Sequence, residues 1–167
     1  MATKQIYSSS SIIHSCKAIL ALLLYLLVPV NPLLADEVDD LKAQAVAKIV
    51  VDEWKQAETL YTEILKTAPD DIVSYLNRAL CRQRLGNSAG AKEDGEHVLS
   101  LLKQQGKFDS NETKYLVYKA NAYRRSGNYA TAITLIKRAI NLNPDYSPLK
   151  AILRNTKNES ILSGLRN

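Results

Sequence analysis

The sequence predicts an all-α protein: a solenoid of three helical hairpins closed by a C-terminal capping helix. Three observations carry this. Apolar residues recur three and four apart over long stretches, as in Leu116, Ala120 and Tyr123 and again in Ala132, Ile136, Ala139 and Ile140. That spacing lays them on one face of a helix. A Gly-Asn pair, a stop and turn signal, separates such stretches at Gly86-Asn87 and at Gly127-Asn128. Only six Gly and five Pro occur in 167 residues, too few for a turn-rich all-β chain. Hydrophobic residues make up 46% and charged residues 23%, which argues against a disordered, collagen-like or multi-span membrane chain.

Residues 1–35 are expected to lie outside the fold. They contain Lys4 and Lys17 and no acid. The apolar run Ala18–Val30 follows, 13 residues long, short of the roughly 20 a bilayer span needs. Pro29 and Pro32 are expected to break any helix, and Leu33-Leu34-Ala35 precedes the acidic start Asp36-Glu37. A basic stretch, an apolar stretch and a small residue are the parts of a secretory signal peptide. Cleavage is expected after Ala35, placing the protein in an exported compartment (periplasm, extracellular space or organelle lumen). The alternative is an uncleaved anchor that tethers the protein to a membrane. Without residues 1–35 the chain keeps one cysteine, Cys81, so no internal disulfide can staple it. At this size about two-thirds of the unfolded surface can be buried, so a core suffices.

The first hairpin is expected over 38–71. Leu41 and Ala45 mark its first helix; Trp54, Ala57, Tyr61 and Ile64 mark its second, with Pro69 beyond the end. Gln44 and Lys48 fall where the apolar face should be. The second hairpin, 72–105, has Tyr75 and Ala79, the turn Gly86-Asn87, then Ala91. Arg82, Gly95 and Val98 are unexpected there. Gly95 costs about 1 kcal/mol relative to Ala inside a helix, and a packing gap is expected beside it. Gly106 to Glu112 form a polar insert. The third hairpin, 113–146, has the clearest periodicity, with Pro144 just past its second helix. Ala120 and Ala132 permit close approach of its two backbones, while Tyr123 and Ile136 fill the surrounding space. Residues 147–167 form a capping helix and tail, with Ile152 and Leu153 expected to cover the last apolar face.

The third hairpin resembles the tetratricopeptide repeat, whose pattern is W-x2-L-G-x2-Y, then A-x3-F, then P. Leu116, Ala120, Tyr123, Ala132, Ile136, Ala139 and Pro144 occupy those places, and Lys119 departs where an apolar residue is usual. The resemblance implies a right-handed α-solenoid of three such hairpins, about 34 residues each. It also implies a concave groove, lined by the first helix of each pair, that takes a peptide or protein element. The groove-facing residues should be Lys42, Val46, Ile49 and Val50 in the first copy. In the second they should be Val73, Leu76, Asn77, Leu80 and Arg84, and in the third Lys114, Val117, Asn121, Arg124 and Arg125. The groove would be apolar at one end and basic at the other, and basic groups with an amide suit a carboxylate-bearing ligand. Lys114, Asn121, Arg124 and Arg125 are the leading polar candidates, with Tyr118 and Leu80 for apolar contact. One subclass of these repeats clamps chaperone C-termini with Lys, Asn, Asn, Lys and Arg. The matching places here hold Lys42, Val46, Asn77, Lys114 and Tyr118, three of the five.

Charge is split along the chain. Residues 36–71 hold ten acids and four bases, whereas residues 72–167 hold 16 bases and seven acids. Such asymmetry points to two partner surfaces, or to self-association through opposite ends. Nucleic acid is not an expected partner after export. His97 lies beside Glu93, Asp94 and Glu96 and reads as a surface residue; Cys81 reads as a small core residue. One His and one Cys make no zinc set. No phosphate loop, nucleophile elbow or paired-carboxylate constellation occurs in a supporting context, so neither enzyme activity nor a cofactor is expected. Asn111-Glu-Thr113 and Asn158-Glu-Ser160 are N-glycosylation sequons. The leading expectation is a non-catalytic protein-binding adaptor.

Overall fold

The computed structural model describes residues 32–164, which form seven helices and no strand. They are α1 (Pro32–Val50), α2 (Trp54–Thr67), α3 (Ile72–Arg84), α4 (Ser88–Gln104), α5 (Thr113–Arg125), α6 (Tyr129–Leu142) and α7 (Pro148–Gly164). From Glu37 onward they belong to one compact unit. The expected leader falls outside the described residues up to position 31. The expected cut after Ala35 lies within α1. Pro32 opens that helix, as proline can at a first helical position, where its missing N–H costs no hydrogen bond.

Pairs α1/α2, α3/α4 and α5/α6 are hairpins, and the turns inside them share one chemistry. After α3, the Gly86 N–H donates to the Gln83 carbonyl (3.1 Å) and the Asn87 N–H to that of Arg82 (2.8 Å). After α5, Gly127 and Asn128 repeat this toward Arg124 and Tyr123 (3.1 and 2.8 Å). Both glycines have φ near +80°, at +81° and +79°, a backbone state that side-chain-bearing residues resist. Each Asn then caps the next helix: Asn87 accepts from the Gly90 N–H (2.9 Å) and Asn128 from the Thr131 N–H (3.2 Å). The first hairpin makes the same turn without glycine. Asp52 takes φ +58°, with Asp52 and Glu53 donating to the Ile49 and Lys48 carbonyls (3.2 and 2.9 Å). Asp is one of the few residues that tolerate that conformation.

Each hairpin is sealed by the first helix of the next. Val38, Ala45, Ala57, Tyr61 and Ile64 close over Cys81 of α3. Ile72, Leu76, Val98, Leu101 and Leu102 close over Ala122 of α5. Leu116 and Ala139 close over Leu149 of α7, which is fully buried, with Ile152 packed beside it. Thus α7 covers the face that the first helix of a fourth hairpin would otherwise cover. His97 is exposed and lies against the Tyr75 ring, centroids 4.3 Å apart.

The residues that break the repeat pattern have physical explanations. Arg82, in an aromatic's place, reaches the carboxylates of Glu58 (3.3 Å) and Asp94 (3.1 Å), plus the Gly90 carbonyl (3.1 Å). The gap expected at Gly95 is absent. A Cβ there would sit 2.7 Å from the Ala122 carbonyl oxygen, so α5 runs directly against α4.

Lys119 is buried. Its ammonium donates to the carbonyls of Phe108 (2.6 Å) and Ser110 (3.4 Å) and lies over the Phe108 ring. It therefore pins the 106–112 insert against α5, and burial lowers its pKa. Lys119→Met keeps the side-chain length and removes the donor. The expected cost is about 1–2 kcal/mol, because two carbonyls lose their partner. Amide exchange across 107–112 should accelerate more than exchange in α6. Uniform acceleration through the whole domain would sink the pinning role.

Candidate binding groove and its basic pocket

The first helices of the pairs share one side of the stack. α3 and α5 touch each other directly, whereas α4 and α6 do not pack together. α3 and α5 thus pack side by side along the stack, and the residues expected to line the groove fall into three groups.

The first group is committed to internal bonds. Lys42 Nζ lies 2.6 Å from Asp71 Oδ2. Burial raises the Asp71 pKa, but Lys42, Ser74 and the Val73 N–H outweigh it and hold the carboxyl below its ordinary range. Asn77 Nδ2 donates to the Tyr61 hydroxyl (3.1 Å), and burial pushes that phenol up to about 12. Tyr118 is half-buried, packed on the second core cluster with its ring edge toward Tyr115. Leu76 is buried and Ile49 packs on the first cluster, so both serve the core. Two of the three residues that match the carboxylate-clamp places are thus engaged within the fold.

The second group is open. Val46, Val50 and Val73 are 50%, 76% and 42% exposed. Lys114 is exposed over the Tyr115 ring (4.7 Å), and hydrogen bonding with the Tyr115 side chain raises its pKa. Arg84 is exposed with its guanidinium over Trp54 (5.3 Å). Asn121, Val117 and Leu80 are half-buried.

The third group departs from expectation. Arg124 and Arg125 do not stand free in the groove, because α7 folds over them. Arg125 is 9% exposed, and its guanidinium donates to the Gln83 side-chain carbonyl. Arg124 Nε lies 3.7 Å from Glu159 Oε2. Arg124 Nε, Arg125 Nε and Glu159 Oε2 are all buried without a hydrogen-bond partner. A cavity of about 390 Å³ opens here, lined by Leu80, Gln83, Arg84 and Arg125 on one side and Asn155, Asn158, Glu159 and Leu162 on the other. Burial and the neighbouring Arg124 push the Arg125 pKa down to about 9. Burial likewise lowers Arg124, with Glu159 opposing.

The α7 half of this cavity is absent from the sequence reading. A signal exists for it: Asn155, Asn158, Glu159 and Leu162 are spaced three and four apart and share one helix face. Cys81 is fully buried, and burial pushes its thiol up to about 11, the state of an unreactive core residue. No group of three or more metal-ligating side chains occurs among the described residues.

This architecture defines a class: all-α proteins built of stacked helical hairpins. Residues 113–146 match the family model described as tetratricopeptide repeat. Over 125 residues the chain is 28% identical to Tetratricopeptide repeat protein 36 of Danio rerio, covering 75% of this chain and 65% of that relative. It thus spans less than two-thirds of the relative's length. The solved tetratricopeptide-repeat domain of Sgt2 from Aspergillus fumigatus superposes with a TM-score of 0.51 at 25% identity, covering 78% of this chain and 83% of that one. The Yersinia enterocolitica type III secretion chaperone SycD, solved with a peptide of the translocator YopD, superposes at 0.50 with 16% identity, covering 78% and 95%. The described chain has the fold of tetratricopeptide-repeat domains.

Proposed function

We propose that this protein is a non-catalytic adaptor or scaffold of an exported compartment. It holds a peptide or protein element against the inner side formed by α1, α3 and α5. The observation that carries the reading is the pairing of exposed apolar groups on that side, Val46, Val50 and Val73, with the open cations Lys114 and Arg84. Apolar anchors with flanking charge fit an amphipathic segment bearing acidic residues. SycD, which shares the fold, is solved with a peptide.

Site-specific photo-crosslinking in the native host tests this. A crosslinker at Val50 or Val73 should capture one discrete partner, and the yield should fall at least fivefold for Lys114→Glu. A crosslinker at Arg138, exposed on α6, should not capture that partner. Equal capture from both sides would sink the groove reading. The N-terminus of the accumulated protein tests export: a start at Asp36 supports cleavage, and a retained apolar run Ala18–Val30 supports the membrane-tethered alternative.

A further inference from the structure

The cavity between α3, α5 and α7 is not explained by the groove alone. Arg84 and Arg125 line it together with one carboxylate, that of Glu159, which faces Arg124 beside it. Arg125, a wall residue, is more than nine-tenths buried, and its Nε has no partner. A buried donor left unpaired costs free energy comparable to a lost hydrogen bond. An uncompensated buried cation costs more. The walls are otherwise Leu80 and Leu162 with the amides of Gln83, Asn155 and Asn158. This is a cationic end, a ring of amide donors and an apolar rim.

We propose that this pocket binds a carboxylate carried by the protein partner, with Glu159 of α7 as its built-in competitor. The inference rests on the partner-binding reading above. Glu159 shows which group the pocket accepts: its carboxylate faces Arg124 at 3.7 Å, too long for a good hydrogen bond, and leaves Oε2 unpartnered. It faces Arg124 alone and satisfies neither Nε. A second carboxylate entering the 390 Å³ cavity can accept from Arg125, and its carbon atoms meet Leu80 and Leu162. Burial and the neighbouring Arg124 push Arg125 down to about 9, and a carboxylate beside it opposes that shift. The site lies at the C-terminal ends of α3 and α5. The clamp-like places Lys42, Asn77 and Lys114 lie nearer the N-terminal ends of their helices or on another helix, so the two sites are distinct.

The test uses the purified protein as it accumulates in its host and follows the Nε–Hε signals of Arg124 and Arg125 by NMR. N-acetyl-Leu-Gly with a free C-terminus presents a terminal carboxylate. N-acetyl-Leu-Glu-Gly amide presents a side-chain carboxylate. N-acetyl-Leu-Gly amide presents neither. At least one carboxylate peptide should shift both signals saturably, and the peptide that does so identifies the source. The neutral amide should leave them unmoved. Glu159→Gln removes a like charge from a half-exposed position and should tighten binding by about five- to tenfold. Lys137→Gln, at an exposed position of α6 outside the pocket, should change it less than twofold. Arg125→Met should abolish the shift of Arg124, but it risks the fold, so the decision rests on Glu159→Gln. No saturable shift in either protein overturns the proposal, as does equal response to the neutral amide or unchanged affinity in Glu159→Gln. Crosslinking from Val50 that survives such a result would leave the adaptor reading standing alone.

Discussion

Asp94→Ala is expected to destabilise the domain by about 3–5 kcal/mol, the cost of stranding buried cations. Asp94 is 3% exposed on α4. Its carboxylate accepts from Arg78 through both oxygens, at 2.6 and 3.1 Å, and a second guanidinium, Arg82, lies 3.1 Å away. Burial lowers the Arg78 pKa, but the Asp94 bonds and charge outweigh it and hold it above its ordinary value. Removing the carboxylate leaves Arg78 facing no acid at that distance and Arg82 with Glu58 alone, at 3.3 Å. Domains of this kind have a total stability of about 5–15 kcal/mol, so one substitution should remove a large share. Equilibrium urea unfolding followed by helical circular dichroism reads the shift. A change under about 1 kcal/mol would mean that the two arginines swing into water at little cost, so that the network orders the surface and does not hold the core. A triple variant separates the explanations: Asp94→Leu with Arg78→Met and Arg82→Phe replaces the charges by apolar volume. It should recover most of the loss, since buried ionic clusters are often no more stable than well-packed apolar ones.

The same network shows what the sequence could and could not convey. The third hairpin is legible because its buried residues are its periodic ones: Leu116, Ala120, Ala132, Ile136 and Ala139 are all fully buried. In the second hairpin Arg82 reads as a broken pattern, because its meaning lies in Glu58 and Asp94, residues of two other helices. The first turn is illegible for a local reason, since Asp52 does the work of the glycine found in the other two. The sequence puts Arg124 and Arg125 at the basic end of an open groove, whereas in the structure Arg125 is buried and Arg124 faces Glu159 of α7. Periodicity assigns Arg124 and Arg125 to a helix face. It carries no information on whether α7, some 30 residues later, lies over that face. That decision is made by packing, through Leu149 and Ile152 docking on the third core cluster, and the pocket follows from it.

Gly95→Ala is the second large effect, and its sign is decided by magnitudes. Helix propensity favours Ala by about 1 kcal/mol at an interior position. Against this, the new Cβ would lie 2.7 Å from the Ala122 carbonyl oxygen, 2.9 Å from Ser126 Oγ and 3.3 Å from Arg125 Cβ. The first is backbone inside α5 and cannot rotate away. The second already donates to that same carbonyl at 3.0 Å. Relief therefore requires α4 and α5 to separate by several tenths of an ångström, which opens the packing around Val98 and Ala122 in the second core cluster. Overpacking of this kind costs typically about 1–3 kcal/mol beyond any local gain. The expected net loss is about 2 kcal/mol, visible as a lower thermal midpoint. The displacement should also reach function, because Arg125 is one of the three groups struck. Its Nε–Hε signal should move in Gly95→Ala without any peptide present, and carboxylate-peptide affinity should fall with it. A variant that melts lower but keeps that signal and that affinity would show that α5 moves as a rigid piece, uncoupling the α4–α5 contact from the pocket.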